Sequence, residues 1–384
     1  MIQLKSSVVI VGGGIVGLAT AYNLALQGAR DIVVVEQGYM GSGASTRNAG
    51  HFRVHFWTPE NTRFAIESNK RLLEFTSKID LDPETHFGGY LWLLYKEEQV
   101  RSFKESNNRT WSEFGVPGKF LMPKEMSEEY PYLNVKDVIA GFLGPQDGKM
   151  NPNHVVLAYY KRNRELGVRF LTHTKVERIV MEAGKATSVQ TSNGTIEAQK
   201  ILVAAGGWTG KLLKTANIDL PLEPQRKEIA VTEPMKHFLH PEVISMKASA
   251  YVGQMLHGEV IGSIDYPIVK GLATLVNTFD WCRAFATAIS ELIPSTRHLM
   301  LLRSWSGYYA MTPDHSHILG RDPNWPENLY VATGFSGHGF MMGSLAGELM
   351  AKNIVHDKVD DLIKPFLPTR FEEDTLINET MVIG

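Results

Sequence analysis

The sequence predicts an α/β fold in two domains, one on a parallel sheet drawn from separated stretches of chain, the other on a mixed or antiparallel sheet. Three observations carry this. SSVVIVGG is a short β-branched run that ends in glycines and leads into a helical pattern and a second strand. ILVAAGGW repeats the strand-into-glycine arrangement from Ile201, and NLYVATGFSGHGF repeats it again from Asn328. Patterns of mixed strand and helix lie between them. The expected division is 1–78, 146–215 and 314–384 for the parallel domain, with 79–145 and 216–313 for the other.

The elements follow in order. IVGLATAYNLALQG has helical spacing and stops at Gly28, a natural C-terminal glycine, and DIVVVE is the next strand. Residues 6–36 therefore form one βαβ unit with its tight turn at Gly12–Gly14. The polar loop GSGASTRNAGHFR precedes a helix from Pro59 to about Lys78. FGGYLWLLY reads as a strand, KEEQVRSFKESNNRTWSEFG as an exposed helix and NPNHVVLAYYKRNRELG as another helix. VRFLTH and TKVERIVMEAGKATSVQTSNGTIEA are strands, with a hairpin turn at Asn193–Gly194. FDWCRAFATAISELI is helical, and SLAGELMAKNI forms the helix after the late glycine loop.

Bulk properties exclude several classes. A formal charge of −2 offers no basic face for nucleic acid. The single cysteine, Cys282, rules out an internal disulfide framework and cysteine-rich metal sites, and it fits a reducing cytoplasm. The apolar run from Ser6 to Leu26 contains three consecutive glycines, which are poor in a helix, so no membrane span is expected. Neither HExxH nor G-x-S-x-G occurs, and no metal is expected.

GGGIVG places Gly12, Gly14 and Gly17 at G-x-G-x-x-G spacing. The first allows the turn, the second a close approach of backbone to a pyrophosphate, and the third close helix–strand packing. The helix that begins there, through Ile15 and Val16, directs N–H groups and its positive end at the phosphates. Glu36, with Gln37 beside it, ends the second strand where a carboxylate can accept from ribose hydroxyls. Strand before, helix after and acid at the right distance indicate a Rossmann-type dinucleotide site. Because GSGAST, ILVAAGGW and VATGFSGHGF are so far apart, they suit a split domain closing around one extended FAD rather than NAD. A helix N-terminus beside the pyrimidine edge would stabilise the negative charge of a reduced flavin.

GGGIVG with Glu36, GSGASTRNAGHFR, SAYVGQMLHGEVIGSID, WSGYYAMTPDHSHILG, GFSGHGFMMG and PFLPTRF together resemble the amine-oxidising flavoproteins of the D-amino-acid oxidase superfamily. Within it they are most similar to sarcosine oxidase β chains and dye-linked L-proline dehydrogenase β subunits. The resemblance covers nearly the whole chain and implies FAD, two domains and oxidation of an amino acid to its imine. It assigns Ser42, Gly43, Ala44, Ser45, Arg47 and Asn48 to the cofactor, Val176 to the adenine, and Ala205, Gly206 and Trp208 to the turn after the third strand. Gly337, His338, Gly339, Phe340 and Met341 fall at the pyrimidine edge. The plainer alternative for His338 is a cap on its helix, and for Val176 an ordinary strand valine.

An amino-acid carboxylate favours a guanidinium, whose planar fork gives two charge-assisted bonds. By motif position Arg53 matches the carboxylate-binding arginine of sarcosine oxidases, and Tyr309 an active-site tyrosine; Tyr251 is a second wall. His51 and His55 are further candidates, against which stands the frequency of neutral core histidines. Sarcosine oxidases carry a lysine where this chain has Met341. Gly307 stands where monomeric relatives attach flavin through cysteine, and Pro152 lies near the histidine used by heterotetrameric ones, so FAD is expected to be held non-covalently. Tyr251–Ile261 lacks the lysine that promotes oxygen reaction in sarcosine oxidases.

The expected reaction is hydride transfer from the carbon beside a neutral amine nitrogen to flavin N5, in a small, secondary amino acid such as L-proline. Electrons would pass to a carrier through a partner subunit in an oligomer, in the cytoplasm or peripheral to a membrane electron-transfer chain. Rival readings are a peroxide-producing oxidase of sarcosine, glycine or a D-amino acid, a flavin-binding scaffold for a partner's chemistry, and an NAD-dependent dehydrogenase.

Overall fold

The computed structural model describes residues 2–382. Ile2–Val11 is the central strand of an eight-stranded sheet, paired in parallel with Ile32–Val35 on one side and Gly194–Val203 on the other. Arg169–Leu171 and Leu329–Thr333 extend the parallel core outward, and Ile318–Gly320 closes one edge antiparallel. Val8–Val11, Ile32–Val35 and Leu329–Thr333 are buried along their lengths, as strands covered on both faces must be. Val176–Glu182 and Lys185–Thr191 form a meander leading into Gly194–Val203, so Gly194 opens a strand, and the hairpin turn lies one residue earlier than the Asn193–Gly194 reading.

The second sheet has nine strands, with Glu223–Pro234, Glu259–Ile264, Ala250–Gln254, Glu242–Ser245, Tyr90–Leu94 and Ala140–Gly144 in that order through its middle. Its pairings are antiparallel except for Glu242–Ser245 beside Tyr90–Leu94, which makes the sheet mixed. Helix Phe279–Leu292 covers one face with Trp281, Phe285, Ile289 and Leu292, a stripe at helical spacing. The segment read as one exposed helix is a helix over Glu97–Ser106 and a wider turn over Asn107–Trp111. That turn buries Trp111, whose indole N–H donates to the Phe56 carbonyl at 2.7 Å.

Two contacts position the site. Helix Ile15–Leu26 and helix Gly339–His356 pack closely, because a Cβ on Gly343 would fall 2.8 Å from Ile15 Cγ2, and one on Gly347 would fall 2.4 Å from Ala19 Cβ and 2.6 Å from its backbone. Their N-termini therefore open side by side. A two-stranded ribbon, His51–Phe52 against Gly148–Lys149, then carries the chain from the glycine loops to the second sheet.

The C-terminal segment is tied into both. Arg370 makes a two-pronged pair with Asp314, at 2.7 and 3.1 Å. The fully buried Glu379 accepts from the Thr58 N–H and hydroxyl at 3.2 and 3.0 Å, at the N-terminus of helix Pro59–Thr76. The closeness of the two central helices is testable: Gly347→Val should lower stability by about 1–3 kcal/mol through overpacking. Thermal melts should show a reduced Tm, and the purified variant should carry less flavin.

Candidate active site

Between the sheets lies an elongated cavity of about 850 Å³, toward the upper end of the range for small-molecule sites. At one end the glycine turn contributes Gly12, Gly14, Ile15 and Val16 to its wall. Gly12 has φ 116°, and a Cβ there would sit 2.3 Å from the Ala204 carbonyl oxygen. Gly17 does not reach the cavity; a Cβ there would meet the Gly12 carbonyl oxygen at 2.1 Å, so it serves packing alone. Helix Ile15–Leu26 starts at Gly14 with no side-chain cap and no acid in its first turn, which leaves the positive end for an anion.

Glu36 braces this loop. One carboxylate oxygen accepts from the Gly13 N–H at 2.8 Å, the other from the Gly38 N–H at 2.9 Å and the Ser42 hydroxyl at 3.1 Å. Each oxygen has two lone pairs, so Oε2 keeps capacity for a ligand hydroxyl. Gln37 and Val176 line the same end, and Ser42, Gly43, Ala44, Ser45, Arg47 and Asn48 follow along one side. Ser45 accepts from the Ile15 N–H at 2.9 Å. Arg47 donates to the carbonyls of Ser42 at 2.9 Å and Ser306 at 3.0 Å, clamping the loop to strand Leu301–Met311 next to Gly307. Ala205, Gly206 and Trp208 complete the opposite side.

At the far end the late loop presents Gly337, His338, Gly339, Phe340 and Met341 to the cavity. Gly337 has φ 96°, and a Cβ there would strike the Tyr309 ring at 2.5 Å. His338 occupies the N-cap position but makes no side-chain cap bond; its Nε2 lies 3.2 Å from Arg53 Nη2. Burial and the neighbouring Arg53 hold its pKa well below the usual histidine value, so the ring is neutral.

Arg53, Tyr309, Tyr251 and His51 all line this end. Arg53 is buried, which lowers its pKa, and its guanidinium lies 3.9 Å from the Phe56 ring centroid. It donates from Nη1 to the His55 carbonyl and from Nη2 to the Met381 carbonyl, with the Met381 sulfur 2.9 Å from Nη1. With His338 included, the terminal N–H groups all face protein acceptors, and Nε–H has none among the described residues. His55 lies outside the cavity as a satisfied core histidine, bonded to Asp147 at 3.1 Å and the Val116 carbonyl at 2.9 Å.

Sequence reasoning missed several wall residues. Tyr90 and Trp92 come from the second sheet, and Lys227 comes from strand Glu223–Pro234. Tyr251–Ile261 holds no lysine, but Lys227 reaches the cavity wall from another strand, pairs with Asp265 and has its Nζ 5.4 Å from the Tyr309 ring centroid. Met381 carried no motif signal. Burial raises the pKa of Tyr90 and Tyr251 far above the usual phenol value and that of Tyr309 to about 12, so all three stay neutral.

An extended cavity with two uncapped helix N-termini opening onto it and glycine turns that tolerate no Cβ fits a dinucleotide. Residues 7–353 match the profile of the DAO family, described as FAD dependent oxidoreductase. The chain belongs to this family of FAD-dependent oxidoreductases. It is 30% identical to the sarcosine oxidase subunit beta of Arthrobacter sp over 97% of this chain and 92% of that one. The crystal structure of L-proline dehydrogenase from P. horikoshii superposes with a TM-score of 0.91 and 34% identity, covering 98% of this chain and all of that one. Glycine oxidase from Bacillus cereus, at 21% identity and a TM-score of 0.83, shares the fold.

FAD is therefore the cofactor. Glu36→Gln removes a charged acceptor from the Gly13 N–H, worth about 1.5–3 kcal/mol. Titration of the stripped protein should show FAD binding weakened by roughly ten- to a hundredfold.

Proposed function

We propose that this FAD-dependent oxidoreductase oxidises a small amino acid at the bond between carbon and nitrogen, with a secondary amine such as L-proline the leading substrate. The observation that carries the reading is the full-length likeness to the P. horikoshii enzyme, joined to a chamber of the right chemistry beside the late glycine loop. FAD, when bound, supplies the two-electron acceptor. The protein orients the substrate and keeps water away. Tyr90, Trp92, Tyr251 and Tyr309 form neutral aromatic walls that favour an uncharged amine by desolvation. Arg53 supplies positive charge for the carboxylate, through Nε–H as it stands and through its terminal N–H groups once the Met381 contacts yield.

The expected domain division and the roles of the cavity residues belong to this proposal. So does a partner that collects the electrons, for which the relative named as a subunit gives support. A second reading, an oxidase that hands electrons to oxygen, is favoured by Lys227, an ammonium group at the cavity wall. Oxygen consumption with substrate separates the two.

Anaerobic mixing of the flavin-loaded protein with L-proline, D-proline, hydroxyproline, sarcosine and a D-amino-acid panel should bleach the flavin, fastest with L-proline. If no amine bleaches it, the reading is wrong. Arg53→Lys should retain FAD and raise the KM roughly ten- to a hundredfold, the worth of a charge-assisted bond pair; an unchanged KM removes Arg53 as the anchor.

A further inference from the structure

Beneath the aromatic end of the cavity lies a buried ionic network that cofactor binding does not explain. Glu242 is 3% exposed and Lys149 is 3% exposed, and they pair through Glu242 Oε1. Lys149 also donates to the Gln254 carbonyl. The other carboxylate oxygen, Oε2, lies 3.1 Å from Nε2 of His51, which lines the cavity. The fold makes room for this carboxylate: a Cβ on Gly253 would fall 1.4 Å from Glu242 Oε2. His51 and Lys149 also face each other across the ribbon.

A buried ion pair is commonly no more stable than apolar residues of the same size, so stability alone gives little reason for one here. Its effect on His51 is specific. The Glu242 carboxylate is the acidic group nearest Nε2, at ion-pair distance and not in an aligned hydrogen bond; a proton on Nε2 leaves the lone pair on Nδ1. Nδ1 has no hydrogen-bond partner among the described residues, and the Tyr90 and Tyr251 rings hold the imidazole edge-on at 5.4 and 5.1 Å. Burial alone would raise the Glu242 pKa, but Lys149 and His51 outweigh it and bring it down to about 2, so the carboxylate stays ionised.

Amino acids reach an enzyme near neutral pH as ammonium ions, whereas oxidation at the neighbouring carbon needs the nitrogen lone pair. Other groups at this end are poor proton acceptors. The phenols of Tyr90, Tyr251 and Tyr309 are neutral, and His338 is directed at Arg53. Charged groups around this end are Glu242, Lys149 behind it, Arg53 on the same segment as His51, and Lys227, which is paired with Asp265.

We propose that His51 is a catalytic base that takes a proton from the substrate's ammonium nitrogen, with Glu242 and Lys149 as positioning residues behind it. The inference rests on the amino-acid reading above. One N–H bond of the substrate breaks, its electron pair stays on nitrogen, and the proton passes to His51 Nδ1. The resulting imidazolium is held against the Glu242 carboxylate. The proton leaves later to solvent, and the electron count of the oxidation is unchanged.

The test is the pH dependence of anaerobic flavin bleaching in the flavin-loaded wild type and His51→Gln. Between about pH 7 and pH 9 the wild-type rate should stay nearly flat, while the variant rate should rise roughly tenfold per pH unit, following the free-amine fraction. A ring carboxylic acid without the amine nitrogen, read through its perturbation of flavin absorbance, should bind both proteins alike. Bleaching of both with one common pH profile overturns the base assignment alone. A wild type that no amine bleaches overturns the functional reading and this inference together. If His51→Gln does not retain flavin, the double variant Glu242→Gln with Lys149→Met removes both buried charges and leaves His51 in place. It should bleach roughly ten- to a hundredfold more slowly at neutral pH, and a wild-type rate there overturns the proposal.

Discussion

The close crossing of helices Ile15–Leu26 and Gly339–His356 is the constraint on which the rest of this molecule depends. Helices usually pack at 8–10 Å with side chains between them. Here Gly343 and Gly347 remove those side chains and let Ile15 and Ala19 rest against bare backbone. Two positive helix ends thereby face one cavity, though they begin more than three hundred residues apart in the chain. One suits a pyrophosphate and the other the ring edge that gains charge on reduction.

The second sheet answers a different problem. Substrate chemistry needs a dry chamber, yet the carboxylate and nitrogen of an amino acid need charged partners within it. Arg53, Lys149 and Glu242 are buried and Lys227 partly so, and each has a partner: Met381 and His338 for Arg53, Asp265 for Lys227, and the ion pair between Lys149 and Glu242. Buried charges are tolerable only when they are paired and hydrogen-bonded. The chamber can thus be both apolar and polarised.

The nucleotide-binding half could be read from sequence because its signals are local. A β-branched strand, a glycine turn and a helix lie within twenty residues, and Glu36 follows at a distance fixed by the βαβ unit. The late loop was legible because it repeats the same grammar. The chamber wall was not, since Tyr90 reaches Glu242, and Lys227 reaches Gly307, only through pairings between strands far apart in the chain. His51 and His55 make the point most sharply. They sit four residues apart in one polar loop, yet one lines the cavity and the other is sealed between Asp147 and Val116. Nothing in their immediate neighbours distinguishes them. Trp111 was placed on an exposed helix for a similar reason: its partner, Phe56, lies too far away in sequence to register in a periodicity.

The segment around Glu379 and Met381 sets the pace at which the architecture can close. Met381 holds the guanidinium of Arg53 and Glu379 holds the start of helix Pro59–Thr76, contacts that span 328 and 321 positions of sequence. Contacts of such separation cost the most chain entropy to form, so a competent reaction chamber belongs to the slow, non-local part of folding.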